Sequence, residues 1–193
     1  MKDFVFIDVE TSGLDPERHE ILEVAALRVS PKLDVIGEFS AKCIPLHISN
    51  ADPAALAVNG YTDEEWMDAI PLKEALEQTA PLMEDAVPAG HNVQFDLSFL
   101  AKGFAATGVK PPKTSRQRLD TVALAFVEAI AGKAPDMKLD SLCKALFVSR
   151  RRPHDARSDA LDALESVRTM ARIVAASSSG MDCLGSDNER GPK

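Results

Sequence analysis

Phe4-Val-Phe-Ile-Asp-Val-Glu-Thr-Ser-Gly13 is the stretch that decides the fold. A short apolar and aromatic run that closes at a Thr-Ser-Gly turn predicts a buried central strand. Asp8 and Glu10, two apart on that strand, project from one face. They fall at its C-terminal end, where open α/β sheets place their ligands. Burying two like charges together is costly unless something compensates them, and a hard cation with oxygen ligands does so. Asp-x-Glu alone is better read as a turn cap beside a solvated carboxylate.

Outward from this strand, residues 21–29 and 35–44 are two further strand candidates, with Pro31, Lys32 and Asp34 between them, so a three-stranded meander is expected. From Ala51 the pattern turns helical, and Thr62 with Glu65 has the spacing of a capping box. Pro71 opens a helix over 72–83. Residues 86–90 read as a short strand, and Phe95, Leu97, Phe99, Leu100 and Phe104 mark a helix with an apolar face. Residues 119–130 are mostly helical after a short strand, and 138–146 and 155–176 are helices, the last the longest. Strands followed by interleaved helices indicate an α/β domain on a mixed sheet, spanning 1–176. Residues 177–193, rich in Ser, Gly and charge, are expected to be a disordered tail.

At 193 residues the chain suits one substantial core. No apolar run approaches the roughly 20 residues of a membrane helix, and the N-terminus runs into the strand without a secretory pattern. Cytoplasmic residence is expected. Cys43, Cys143 and Cys183 show no zinc spacing and read as reduced thiols. The net charge of −8 argues against a protein that coats nucleic acid electrostatically. It leaves room for a nuclease whose carboxylates bind cations. Arg150, Arg151, Arg152 and Arg157 flank His154 and suggest a phosphate contact, while Lys110, Lys113, Arg116 and Arg118 read as solvated surface.

Two more islands carry chemistry. Asp96 ends Gly90-His-Asn-Val-Gln-Phe-Asp96 in the first turn of a helix, where it complements the helix dipole or serves as a ligand. Gln94, Leu97 and Phe99 also spell a Gln-x-x-Leu-x-Phe clamp-binding string, for which core packing is the better reading. His154 and Asp159, in Pro153-His-Asp-Ala-Arg-Ser-Asp159, lie five apart where the longest helix begins. Histidine is the side chain suited to accept a proton from water near neutrality; alone it is also an ordinary surface residue among arginines. His19, His47 and His91 have no such context.

Together the islands resemble the three motifs of the DEDDh exonuclease family, which includes the proofreading epsilon subunit of bacterial DNA polymerase III and several RNA-trimming enzymes. The resemblance runs from Phe4 to about Met170. It is carried by Asp8-Val-Glu-Thr-Ser-Gly-Leu14, Ile21-Leu-Glu-Val-Ala25, His91-Asn92 before Asp96, Leu119-Asp-Thr121 and His154-Asp-Ala156. The sister DEDDy group has a Tyr where this chain has His154.

The resemblance implies a ribonuclease H-like fold, a five-stranded mixed sheet flanked by helices. It implies that Asp8, Glu10 and Asp159 hold one Mg²⁺ or Mn²⁺, and that Asp8 bridges to a second ion served by Asp96. His154 is then the general base of a two-metal-ion hydrolysis at the 3′ end, releasing nucleoside 5′-monophosphates. Thr11, Gly13 and Leu14, with Asn59 and Gly60, are implied to meet the terminal nucleotide. Tyr61 is a candidate for base stacking, Trp66 for packing, and Asp120 for ordering its loop.

Single-stranded or frayed DNA is the favoured substrate, with 3′ ends of RNA or short oligoribonucleotides as the alternative. A catalytically silent interaction module and a metallophosphatase for monoesters are rivals from other classes. The short polar tail lends no support to a polymerase partner, and the oligomeric state is not legible in the chain.

Overall fold

The computed structural model describes residues 1–181. Along the chain run β1 (Phe4–Thr11), β2 (Ile21–Val29), β3 (Val35–Lys42), α1 (Pro53–Asn59), α2 (Leu72–Met83), β4 (Val87–Gly90), α3 (Val93–Thr107), β5 (Leu119–Asp120), α4 (Val122–Ile130), α5 (Leu139–Ala145) and α6 (Ala156–Met181). One sheet takes the order β3-β2-β1-β4-β5. β1, β2 and β3 form the expected antiparallel meander, and β4 and β5 join in parallel. This is the five-stranded mixed sheet expected, with six helices among the described residues.

β1 reads as a continuous apolar run because both its faces are covered. Val5, Ile7 and Val9 point into a core shared with Leu76 of α2 and Phe99 and Leu100 of α3. Phe6 points the other way, into a second core with Leu142 of α5 and Ala160, Ala163 and Leu164 of α6. The two-residue period of a strand puts Asp8 and Glu10 on the Phe6 face, toward α6.

Beyond Phe6, β1 no longer pairs with β4. β4 ends at Gly90, where a β-carbon would stand 2.7 Å from the Ile7 carbonyl oxygen. The missing side chain lets β4 turn into α3 directly against β1. Asn92 makes that turn with φ of 64°, a conformation Asn tolerates better than most residues.

Three expectations differ from the structure. The segment after Thr62 forms turns, not a helix. Thr62 Oγ1 does accept the Glu65 N–H at 3.1 Å, but the Glu65 carboxylate goes to Lys42 Nζ instead of closing the box. Trp66 is anchored there by its indole N–H, which donates to the Leu22 carbonyl at 3.0 Å, and Tyr61 packs on its ring. α6 continues to Met181, so residues 177–181, assigned to the tail, are helical. The remainder of the expected tail, with Cys183, lies outside the described residues. Finally, the basic residues flanking His154 do not form a free cationic patch, as shown below.

Candidate active site

The splay between β1 and β4 leaves the Val9 N–H without a strand partner. It donates to Asp96 Oδ1 at 2.9 Å, so the first turn of α3 delivers Asp96 to the end of β1. Asp96 is only 2% exposed. α6 begins on the Asp8 and Glu10 face, and its first turn carries Asp159. Asp155 starts this helix by accepting the Ser158 N–H at 2.9 Å.

Glu10, His154 and Asp159 present ligand atoms within 4.8 Å of one another, His154 exposed and Glu10 buried. Asp8 feels the charges of Asp96, Glu10 and Asp159. The four carboxylates and the histidine therefore occupy one place.

The electrostatics of that place are strongly unfavourable to bare carboxylates. Burial, then the neighbouring Asp96, Glu10 and Asp159, push the Asp8 carboxyl well above its usual range. Burial first, then Asp159, Glu23 and Asp96, raise Glu10 to about 8. Burial raises Asp96 to about 7 against the opposing Val9 hydrogen bond. Burial also raises Asp159, opposed by hydrogen bonds from Arg150 and the His154 backbone. A divalent cation held by oxygen ligands is the natural compensation.

Two residues belong here in roles that the sequence reading did not give them. Glu23 lies directly across from Glu10 in the β1–β2 pairing. It is buried, its carboxyl is raised to about 7 mainly by desolvation, and it accepts a hydrogen bond from the Ala156 N–H. Glu23 thus caps α6 while adding to the acidic field. The across-strand position was available only once the register was known. Arg150 is the second; its Nη1 donates to Asp159 Oδ1 at 2.9 Å.

Arg150 also binds Asp140 and Asp162, Arg151 binds Asp162, and Arg157 binds Glu38. Three of the four arginines thought to meet phosphate are therefore committed to carboxylates. The other basic group, Lys110, Lys113, Arg116 and Arg118, is exposed as expected.

The residues expected to contact the nucleotide come together where α1 meets the loop after β1. Asn59 Nδ2 donates to the Thr11 carbonyl at 2.8 Å, and the Asp52 N–H donates to the Ser12 carbonyl. α1 is thereby clipped to the loop after β1. The Thr11 hydroxyl is buried and donates to the Gly13 carbonyl at 2.7 Å, so its hydrogen serves the turn. A β-carbon on Gly13 would lie 2.5 Å from the His19 ring, which closes the far side of this loop. Leu14 is 80% exposed at the loop tip. Gly60 has no heavy atom within 4 Å of where a β-carbon would stand.

Supporting residues fall in place behind them. Asp120 Oδ1 accepts the N–H groups of Asn92 and Val122. His91 hydrogen-bonds Thr121 Oγ1 and the Met137 carbonyl, each at 2.9 Å, which makes it a strut between β4 and the α4–α5 loop. Burial lowers its pKa.

The model of the exonuclease family RNase_T matches residues 5–167. The chain is 31% identical over 157 residues to the PolC-type DNA polymerase III of Streptococcus pneumoniae serotype 2, an alignment covering 81% of this chain and 10% of that protein. It spans about a tenth of the length of the curated relatives it matches. Among solved structures, Escherichia coli exonuclease I in complex with a dT13 oligonucleotide superposes with a TM-score of 0.75 at 22% identity, covering 90% of this chain and 41% of that one. The zinc-bound exonuclease I–single-stranded DNA complex gives a TM-score of 0.74 at 22% identity over 86% of this chain and 39% of that one. These two share its fold. With 163 consecutive residues matched by the family model, the chain belongs to the RNase_T exonuclease family.

Proposed function

We propose that this chain is a metal-dependent 3′–5′ exonuclease that removes nucleoside 5′-monophosphates from single-stranded or frayed DNA ends. One observation carries the reading: Asp8, Glu10, Asp96 and Asp159 converge, with raised carboxyl pKa values, beside the exposed imidazole of His154. DNA is favoured over RNA because the relatives include a DNA polymerase and the neighbours were solved on DNA. The unpaired buried thiols of Cys43 and Cys143 suit the reducing cytoplasm.

The donor set fits a pair of Mg²⁺ or Mn²⁺ ions, since all four carboxylates are hard oxygen ligands that repel one another without a cation. Asp8, Glu10 and Asp159 would hold one, and Asp8 with Asp96 the other. Bound there, the ions would neutralise charge at the scissile phosphate and acidify water.

The chain's own residues do the rest. His154 removes the proton from the attacking water and, being exposed, can pass it to solvent. Asp96 is kept in place by the Val9 N–H. Asn59 fixes the Thr11–Gly13 loop so that Leu14 can abut the terminal base, and open Gly60 admits close approach of the backbone to the nucleotide.

The test uses 3′-labelled single-stranded and duplex DNA, and matched RNA, with Mg²⁺, with Mn²⁺ and with chelator. Metal-dependent release of mononucleotides, faster on single-stranded DNA, is expected. Faster trimming of RNA overturns the substrate, and turnover in chelator overturns the metal site.

A further inference from the structure

Between α5 and α6 the chain crosses residues 147–155 without regular structure, and His154 sits near its end with φ of 60°. A non-glycine residue in the left-handed region needs its surroundings to hold it. Four residues upstream the segment is anchored by a side chain. The Arg150 side chain, only 16% exposed, donates from Nε to Asp140 Oδ1 of α5 at 2.7 Å. Its Nη1 reaches two carboxylates of α6, Asp159 Oδ1 at 2.9 Å and Asp162 Oδ2 at 2.7 Å. Asp162 is fully buried and also takes the Arg151 N–H at 3.0 Å and the Arg151 guanidinium.

One planar fork therefore ties together α5, α6 and the segment that carries His154. Because Arg150 occupies a single oxygen of Asp159, the other oxygen faces no guanidinium. The His154 backbone N–H also hydrogen-bonds the Asp159 carboxylate. The same carboxylate is thus the shared anchor of the arginine and of the histidine's own backbone.

We propose that Arg150 is a positioning residue for the nuclease reaction: its fork to Asp159, Asp162 and Asp140 sets where the His154 imidazole stands relative to the carboxylate cluster. This rests on the site assignment made above. Arginine is required because a lysine ammonium, a point donor on a flexible stem, cannot bridge three carboxylates in fixed geometry. Loss of Arg150 leaves Asp162 neutralised by Arg151, so the fold keeps its buried ion pair.

The experiment measures kcat and KM for mononucleotide release at saturating Mg²⁺ for Arg150→Ala, Arg150→Lys and Asp8→Asn, with thermal melting of each. Arg150→Ala is expected to lose about 10²-fold in kcat, the scale of a misplaced catalytic group, with KM unchanged. Arg150→Lys should recover only part of the loss. Added guanidinium chloride should raise the Arg150→Ala rate and leave the unsubstituted protein unaffected, whereas a merely destabilised variant would be slowed by it. Unchanged kcat in Arg150→Ala, full recovery with Lys, or a loss that tracks a lowered melting temperature without guanidinium rescue each overturns the proposal. An active Asp8→Asn overturns the site assignment itself, and this proposal with it. An inactive Asp8→Asn beside a fully active Arg150→Ala overturns the positioning role alone.

Discussion

Asp8, Glu10 and Asp96 stand on a central strand and the first turn of a helix, Glu10 and Asp96 buried and Asp8 half-buried. His154 stands on an irregular segment, exposed, held in place by one arginine and its own backbone. The difference follows from what each half must do. Carboxylates that repel one another stay together only where regular elements prevent them from relaxing apart, and β1 packed on both faces provides that. A proton acceptor has to meet water and give its proton away, which a buried strand position does not allow. The acidic half thus owes its geometry to hydrophobic packing, and the basic half owes its geometry to ion pairs.

The sharpest way to break this comparison is Asp8→Asn. Removing the charge shared between both proposed ions should reduce nuclease activity to the level seen with chelator, while circular dichroism and melting show an intact fold. Retained activity on a labelled oligonucleotide would dissolve the acidic half as a metal site. Next in size is His154→Ala, expected to lose about 10²–10⁴-fold in rate, the usual share of a general base. A much smaller loss at every pH between about 6 and 9 would remove His154 from that role.

The acidic half also predicts a pH dependence of stability. Glu10 at about 8, and Asp96 and Glu23 at about 7, hold protons in the folded chain that the unfolded chain releases near pH 4. Folding stability from these groups is therefore present at low pH and declines as pH rises from about 4 through about 8. Metal-free protein should melt at a lower temperature at pH 8.5 than at pH 6. Mn²⁺ should restore more at the higher pH, because the ion then displaces fewer protons. Melting that is flat with pH, with equal Mn²⁺ stabilisation at both values, would mean the carboxylates are not a coupled cluster. The smallest effect is expected for Asn59→Ala, which removes one hydrogen bond to Thr11. KM for single-stranded DNA should rise about fivefold with kcat little changed, as befits about 1 kcal/mol. An unchanged KM would separate α1 from the nucleotide approach.

Much of the acidic half was legible in the chain, because it rests on short-range periodicity. The apolar run of β1, the two-residue spacing of Asp8 and Glu10, and the helix starts before Asp96 and Asp159 are all local signals. The meander and the order of helices followed from the same patterns. The basic half was not legible in the same way. Four arginines around His154 look alike in sequence, and only the fold shows that Arg150, Arg151 and Arg157 are consumed by Asp140, Asp159, Asp162 and Glu38. Glu23 was hidden for a related reason, since its place opposite Glu10 depends on strand register. The Thr62–Glu65 capping pattern misled because Lys42 and the buried Trp66 offered those residues better partners than a helix would.

The hydrogen bond from Val9 to Asp96 joins residues 87 positions apart, and Glu23 accepts the N–H of Ala156 at the start of α6. The meander, by contrast, closes through short loops. The meander that carries Asp8 and Glu10 therefore precedes Asp96 and Asp159 in chain order and can pair before those partners are made. At that stage two of the four carboxylates are in place with no cluster around them. The cluster is complete only when α6, the last of its contributors in chain order, docks.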